Sequence, residues 1–262
     1  MGILSDLISS LQNGQITDFL IGFLFSFLAL LPALVLHELG HGYVALRCGD
    51  PTAKMMGRLT LNPAAHLDPI GTLCMFLVGI GWAKPVPVNP LNLRNRRRSM
   101  ILVSLAGIIT NLILFLFSVL LSVLLAVIIV KPTAKGYPLL TLWRPSIIED
   151  IVKGAVYSDA PFLNVWWLQY VNHFLYISAI YNLTLAIFNF LPIPPLDGYR
   201  FWNTLIFKDC LRIDPKIIFG VVLSLFVINR FTGFLDDLLS NATGFVIDNV
   251  ISLALSLFGI GG

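Results

Sequence analysis

The chain has 262 residues, of which 57% are hydrophobic and 12% are charged, whereas about 25% are charged in typical globular proteins. The net charge is +3 and the mean hydropathy is +0.85. This composition excludes a soluble globular protein and indicates an all-α, polytopic integral membrane protein.

Three apolar stretches are long enough to cross a bilayer as helices, which takes about 20 mostly apolar residues. They cover residues 19–47, 99–130 and 162–191. Residues 69–83 are also uncharged, but as a helix they would reach only about 22 Å, against a hydrocarbon core of about 30 Å. We therefore expect a core of three transmembrane helices plus one half-inserted segment.

Two regions outside these spans have their own patterns. Residues 48–68 are polar and rich in Gly and Pro, with a β-like stretch at 58–61, which predicts a short β-hairpin near the membrane. Apolar runs at 217–229 and 238–262 are interrupted by charged residues. They predict extra C-terminal helices, and the pattern leaves open whether these helices span the membrane or lie on it.

The orientation follows from the Lys and Arg residues of the short loops. Loop 84–98 carries one Lys and four Arg without an acidic residue, so we expect it, and the basic loop 198–216, in the cytoplasm. Loop 131–159 and the N-terminus are then outside. The basic cluster at 94–98 is best explained as an anchor at anionic lipid headgroups, and we expect no nucleic-acid partner.

The sequence His37-Glu38-Leu39-Gly40-His41 follows directly on the uncharged run 19–36, within the first predicted span. Positions i and i+4 share a helix face, so both imidazoles can bind one metal ion while Glu38 reaches a water molecule. Ionisable groups at membrane depth are costly, and they are functional candidates for that reason. The alternative is a buried polar network without a metal.

A site of this type needs a third protein ligand and an open position. Asp197 is the best candidate, because three prolines just before it break the preceding helix. Unwound backbone at membrane depth is tolerated where it is buried in protein or lines a polar cavity. The alternative role for Asp197 is the N-cap of a helix at 199–207.

Together, HELGH on one span and Asn-Phe-Leu-Pro-Ile-Pro-Pro-Leu-Asp-Gly at 189–198 resemble the site-2 protease family of intramembrane zinc metalloproteases. The segments GRLTLNPAAHLDPIGTL and GWAKPVPVNP resemble its small branch that lacks a PDZ domain. The resemblance covers about residues 20–210. We expect a single protease domain over residues 1–262, with a core at about 17–210 and apolar or amphipathic helices at 211–262.

The resemblance implies one Zn²⁺ per chain, held by His37, His41 and Asp197, with Glu38 as the catalytic base. It also implies that Asn189 holds the substrate backbone or the oxyanion, although hydrogen bonding between helices is its structural alternative.

Two further residues are candidates for supporting roles. Asn111 ends the stretch SLAGIITN at 104–111, which matches the central-helix pattern of the family except that Ile108 replaces a proline. His66 is a candidate for the rim of the active site. The alternatives are a bridge between helices for Asn111 and a polar pair with Asp68 for His66.

The implied function is zinc-dependent endopeptidase activity on peptide bonds within or near transmembrane segments of membrane proteins. The expected partners are those segments and the lipid bilayer, and the expected location is a prokaryotic cell membrane with the active site toward the cytoplasm. A catalytically silent scaffold and a metal transporter of the same fold are the alternatives. The substrate, the cleavage position, the need for a prior cleavage and the oligomeric state are left open.

Overall fold

The computed structural model describes residues 3–78, 82–130, 140–157, 163–208, 214, 217, 220–221, 224, 228–229 and 232–259. This part of the chain is mostly helical and contains no sheet, which confirms the predicted class. Its α-helices are α1 (Ile3–Gln12), α2 (Ile16–Arg47), α3 (Thr52–Met55), α4 (Pro69–Val78), α5 (Arg96–Ile129), α6 (Leu140–Val152), α7 (Leu168–Phe190), α8 (Asp197–Ile206) and α9 (Phe234–Leu257).

Four of these helices are long and apolar enough to cross a membrane, so the chain is a membrane protein. Segments of α2, α5 and α7 match the three predicted spans. The fourth is Phe234–Leu257, which lies in the C-terminal apolar region where the sequence left open whether the helices span the membrane. Its buried residues recur at helical spacing on one face. They are Thr243, Ile247, Ile251, Ala254 and Leu255.

Charged residues obscured this fourth candidate span in the sequence. Asp236 and Asp237 lie in the first turn of α9, where the helix dipole favours negative charge. Asp248 lies in the middle of the helix and forms a salt bridge of 3.2 Å with Lys153. Hydrogen bonds from the Lys153 ammonium to Glu149 and Asp248 raise the pKa of Lys153. The charge of Asp248 is therefore paired within the fold.

The segment at 69–83 begins with a short helix. Helix α4 has 10 residues and is about 15 Å long, too short to cross a bilayer core of about 30 Å. Residues 79–81 lie outside the described part of the chain.

The β-hairpin predicted for residues 48–68 is wrong. That segment forms α3 and a 3-10 helix at Pro63–Ala65, and it contains no strand. Local side chains take the place of a partner strand. The His66 ring donates to the Thr60 carbonyl (2.8 Å), and the Asn62 side chain accepts from the Ala64 N–H (3.1 Å).

The described residues divide into two compact units. The first contains residues 1–111 and 185–234, and the second contains residues 112–184 and 235–262. Every candidate site residue belongs to the first unit.

Helix α6 lies in the second unit, within the region 131–159 that the sequence predicts to be a loop. Ile148, Ile151 and Val152 of α6 are buried. Polar side chains of α7 donate hydrogen bonds to backbone carbonyl groups in the last turn of α6 and just after it. Asn172 donates to the Ile151 carbonyl at 2.7 Å, and His173 donates to that of Gly154 at 2.7 Å. Helix C-termini leave carbonyl groups without intrahelical partners, and α7 supplies donors for them.

Gln169 makes the most complete of these contacts, because both ends of its amide bond the backbone of Tyr157. Its carbonyl oxygen accepts from the Tyr157 N–H at 2.7 Å, and its NH₂ donates to the Tyr157 carbonyl at 2.9 Å. The side chain is 1% exposed. Burial and the hydrogen bond to Asp150 raise the pKa of Tyr157 to about 12, so its hydroxyl stays protonated and donates to that carboxylate.

We predict that Gln169→Leu lowers the free energy of unfolding by roughly 1–3 kcal/mol, because it removes both hydrogen bonds from buried backbone groups. The measurement is the thermal unfolding midpoint in detergent. Asn249→Leu is the matched control, since Asn249 is exposed and, within the described part of the chain, its amide bonds only the Phe245 carbonyl of its own helix. Equal midpoints for the two variants would contradict this account.

Candidate active site

Helix α2 presents His37 and His41 on one face, as the i, i+4 spacing predicts. Their rings are buried, and their centroids lie 4.7 Å apart at an interplanar angle of 79°. The two Nε2 atoms are 3.1 Å apart. The sequence spacing therefore brings two imidazole nitrogens to one point inside the protein.

Asp197 completes this group from the first turn of α8. Its Oδ2 lies 3.1 Å from His37 Nε2 and 2.9 Å from His41 Nε2. The N-cap of α8 is Leu196 rather than Asp197, so the carboxylate faces the two imidazoles instead of capping its own helix. These three residues form a possible metal-binding group.

The chain break between α7 and α8 places Asp197 at this position. Helix α7 ends at Phe190, shortly before the prolines at 192, 194 and 195. Gly198 then packs against the end of α7, where a Cβ atom would lie 2.3 Å from the Phe190 carbonyl oxygen. Any larger residue at 198 would push α8, and Asp197 with it, away from α7.

The outer nitrogens of both rings face oxygen acceptors on α5. His41 Nδ1 donates to the Val103 carbonyl at 2.7 Å, and His37 Nδ1 lies 3.3 Å from Asn111 Oδ1. Because these oxygens require an N–H donor, the neutral rings carry their protons on Nδ1. Both Nε2 lone pairs then point toward each other and toward the Asp197 carboxylate.

Three lone-pair donors that converge in this way fit a bound cation. Zn²⁺ is bound tetrahedrally at about 2.0–2.1 Å from such ligands, which separates neighbouring ligand atoms by about 3.3 Å. The observed separations are 2.9–3.1 Å. Oxygen acceptors on the outer nitrogens are also typical of metal-binding histidines. The residues present therefore fit a zinc site.

Two glycines allow α2 and α5 to approach each other at this site. A Cβ atom on Gly107 would lie 2.5 Å from both the His37 ring and His41 Nε2. On α2, a Cβ atom on Gly40 would lie 2.5 Å from Thr110 Oγ1 and 3.1 Å from the Ala106 carbonyl oxygen. The sequence marks Gly107 only as part of a pattern, and its close approach to both imidazoles is visible only in the structure.

Glu38 lies beside the three-residue group and is half-buried. Its Oε2 accepts a hydrogen bond of 2.7 Å from the backbone N–H of Val86. The sequence analysis does not identify this contact, because a backbone donor leaves no trace in residue types.

The remaining candidate residues have different surroundings. Asn111 is fully buried against His37. Asn189 is half-buried, and its amide donates to the Leu185 carbonyl of its own helix at 3.0 Å. His66 is fully buried and bonded to Thr60, outside the group of possible metal ligands.

A mainly apolar cavity of about 230 Å³ lies in the same unit. Its α2 lining includes Leu34, one helical turn before Glu38, and its α7 lining is Leu185, one turn before Asn189. The lining residues are Phe27, Leu30, Leu31, Leu34, Leu67, Gly71, Thr72, Trp82, Ala83 and Leu185.

Known proteins resemble this chain over most of its length. "Putative zinc metalloprotease YwhC" of Bacillus subtilis is 38% identical over 192 residues, which cover 70% of this chain and 74% of that protein. "Putative zinc metalloprotease Rip2" of Mycobacterium tuberculosis is 30% identical over 175 residues, and Rip2 of Mycolicibacterium smegmatis is 30% identical over 174 residues. Each Rip2 alignment covers 64% of this chain and 52% of Rip2, so the chain spans about half the length of these relatives.

No solved structure matches the chain. A family model described as "Peptidase family M50" matches residues 25–228, well over half of the sequence and all the candidate site residues. On this match, and on the relative with 38% identity, the chain belongs to peptidase family M50, the site-2 protease family of metallopeptidases.

Proposed function

We propose that this protein is a zinc-dependent intramembrane endopeptidase that cleaves peptide bonds within or near transmembrane segments of other membrane proteins. The observation that carries the proposal is the convergence of Asp197 of α8 with His37 and His41 next to Glu38. The two histidines and Glu38 lie on α2, a helix apolar enough to span a membrane. The names of the bacterial relatives support zinc as the metal.

His37, His41 and Asp197 would hold one zinc ion, whose chemistry is to acidify water and to polarise a carbonyl group. The Val103 carbonyl and Asn111 would fix the proton of each ring on Nδ1 and leave Nε2 as the ligand atom. Asn111 thus has a supporting role at the metal site.

Glu38 acts as general base and then as general acid. Its carboxylate takes a proton from the attacking water and delivers it to the nitrogen of the departing amine. The water oxygen first adds to the carbonyl carbon, and the peptide C–N bond then breaks as the nitrogen takes the proton. The products are a carboxylic acid and an amine, which exchange the remaining proton to become a carboxylate and an ammonium group.

Substrate binding involves Asn189 and the apolar cavity. The Asn189 side chain donates to the Leu185 carbonyl, which the backbone of α7 also hydrogen-bonds. The amide can therefore turn to a substrate carbonyl or to the oxyanion, and the backbone hydrogen bond of the helix remains. The apolar lining suits a side chain from a transmembrane segment. Such a segment must unwind locally, because a helix occupies its own backbone carbonyls.

The orientation that we propose has the N-terminus outside and the active site toward the cytoplasm of a prokaryotic cell. It rests on the basic residues of loops 84–98 and 198–216. Arg97 has a further role, since it donates to the Thr204 and Leu205 carbonyls at the end of α8 at 3.3 and 3.0 Å. This contact stabilises the helix that carries Asp197.

Two other functions fit the observations less well. A catalytically silent scaffold has no need for His37, Glu38, His41 and Asp197 together, and all four are present. A metal transporter needs a succession of sites, whereas the described part of the chain holds one group of three possible metal ligands.

We predict that Glu38→Gln abolishes cleavage and leaves the zinc content at one ion per chain, because the variant removes the base but no ligand. The measurements are zinc analysis of the purified protein and cleavage of a panel of transmembrane peptides in detergent. Cleavage by the variant at the wild-type rate would refute the proposed role of Glu38.

For Asn189→Ala, we expect cleavage to fall about 10²-fold or more, as for the loss of one oxyanion donor, with normal zinc content. Zinc analysis and single-turnover cleavage by the same preparation separate the two effects. Loss of zinc together with activity would instead identify Asn189 as part of the metal site.

The third prediction is that Gly107→Ala loses zinc. The added methyl group would contact both imidazoles at 2.5 Å and force them apart. Zinc per chain and the thermal midpoint are measured with and without added zinc, and zinc should stabilise the wild type more than the variant. Gly22→Ala is the control, because nothing lies within 4 Å of a Cβ atom there. Equal zinc binding in both variants would contradict the close contact.

A further inference from the structure

The catalytic carboxylate is bonded to a backbone group from outside its own helix. The Val86 N–H donates to Glu38 Oε2 at 2.7 Å across 48 residues of sequence. We propose that this N–H is a positioning group for catalysis, which holds one carboxylate oxygen still so that the other faces the attacking water. The inference rests on the proposed function, because it assigns a partner to the base of that reaction.

In the segment 85–87, Val86 is the one residue with a backbone N–H. Pro85 and Pro87 flank it, and proline has no N–H. A residue that precedes proline is also restricted to extended backbone. The Pro85-Val86-Pro87 segment therefore presents a single donor on a stiff backbone, which suits it to fix the direction of a carboxylate.

Hydrogen bonds hold this segment just before Val86. The Lys84 N–H donates to the His66 carbonyl at 2.7 Å, and the Lys84 carbonyl accepts from Arg58 at 2.8 Å. His66 and Arg58 are themselves buried. His66 is a sequence candidate for the active-site rim. It does not contact Glu38 in these hydrogen bonds, but its carbonyl holds Lys84, two residues before the N–H that bonds Glu38.

A second set of contacts holds the segment after Val86. The Asp50 carboxylate accepts from the Asn89 N–H at 2.6 Å and from the Asn92 side chain at 2.9 Å. Burial alone would raise the pKa of Asp50, but these hydrogen bonds and those from Thr52 outweigh it and hold the pKa below its ordinary value. Asp50 follows α2 closely, so it ties the segment to the helix that carries Glu38.

A glycine on α2 allows the segment to lie this close. A Cβ atom on Gly42 would lie 3.0 Å from the Val86 side chain and 2.5 Å from that of Leu59. Val86 is 8% exposed. The N–H is therefore held at the carboxylate by packing as well as by hydrogen bonds, as a preorganised catalytic group requires.

The test compares Val86→Pro, which removes the N–H, with Val88→Pro, which places the same ring two residues later. No hydrogen bond of the Val88 N–H occurs within the described residues. For Val86→Pro, kcat on a transmembrane peptide that the wild type cleaves should fall at least tenfold, with KM and zinc content within about twofold. Val88→Pro should retain wild-type kcat, and Val86→Ala, which restores the N–H, should recover the turnover lost in Val86→Pro.

A backbone ester separates the lost donor from any effect of the proline ring. It is made by incorporating the α-hydroxy acid of valine at position 86 during synthesis, so the side chain stays and only the N–H is replaced by oxygen. The same loss of kcat in the ester protein supports the inference, including in a preparation where Val86→Pro fails to fold.

Two results would overturn the positioning role of the Val86 N–H. One is a wild-type kcat in the ester protein. The other is a higher kcat, which would mean that the hydrogen bond to Glu38 hinders the base. Either result leaves the proposed function intact if Glu38→Gln remains inactive. If Glu38→Gln cleaves as fast as the wild type, Glu38 is not the base and this inference fails with that role. If the wild type cleaves no transmembrane peptide of the panel, the proposed function itself fails.

Discussion

The convergence of two imidazole lone pairs and one carboxylate is the interaction on which the site depends. Three such groups repel one another in an apolar environment unless a cation lies between them. The surrounding structure holds them together: α5 fixes the outer nitrogen of each ring, and the close contact of Gly198 with the end of α7 fixes the start of α8. The contacts around these three side chains therefore serve a charge requirement as well as packing.

Small residues make that arrangement possible. Without a strong hydrophobic drive between helices in lipid, close packing depends on small side chains that let backbones approach. Gly40, Gly42 and Gly107 each face a neighbour that a Cβ atom would strike at 2.5 Å. Two of them also lie beside parts of the candidate site: Gly107 faces the imidazoles, and Gly42 faces the segment that contacts Glu38. Packing and chemistry are thus set by the same positions.

Sequence patterns predicted what depends on residue type and spacing. The spacing of His37 and His41 and the prolines before Asp197 made these residues the best candidates, and the structure brings the three together as a possible metal-binding group. The β-like stretch at 58–61 wrongly predicted a hairpin. In the structure, hydrogen bonds from nearby side chains take the place of a partner strand. The charge of Asp248 obscured the fourth candidate span. The sequence does not show that this charge is paired, because its partner Lys153 lies almost 100 positions away. One difference thus came from local side-chain hydrogen bonds and the other from a contact between distant residues.

The Val86 N–H shows why a catalytic motif is an incomplete description of a site. HELGH contains the proposed base, but a glutamate on a helix surface can adopt several rotamers, and only some would direct a carboxylate oxygen at the attacking water. A backbone donor held by His66, Arg58 and Asp50 limits that choice. These three residues would then affect turnover without taking part in the reaction, because they help to set the direction of the Glu38 carboxylate. On these proposals the active site consists of three elements: the motif helix, the aspartate after the broken helix, and the extended segment that holds the base.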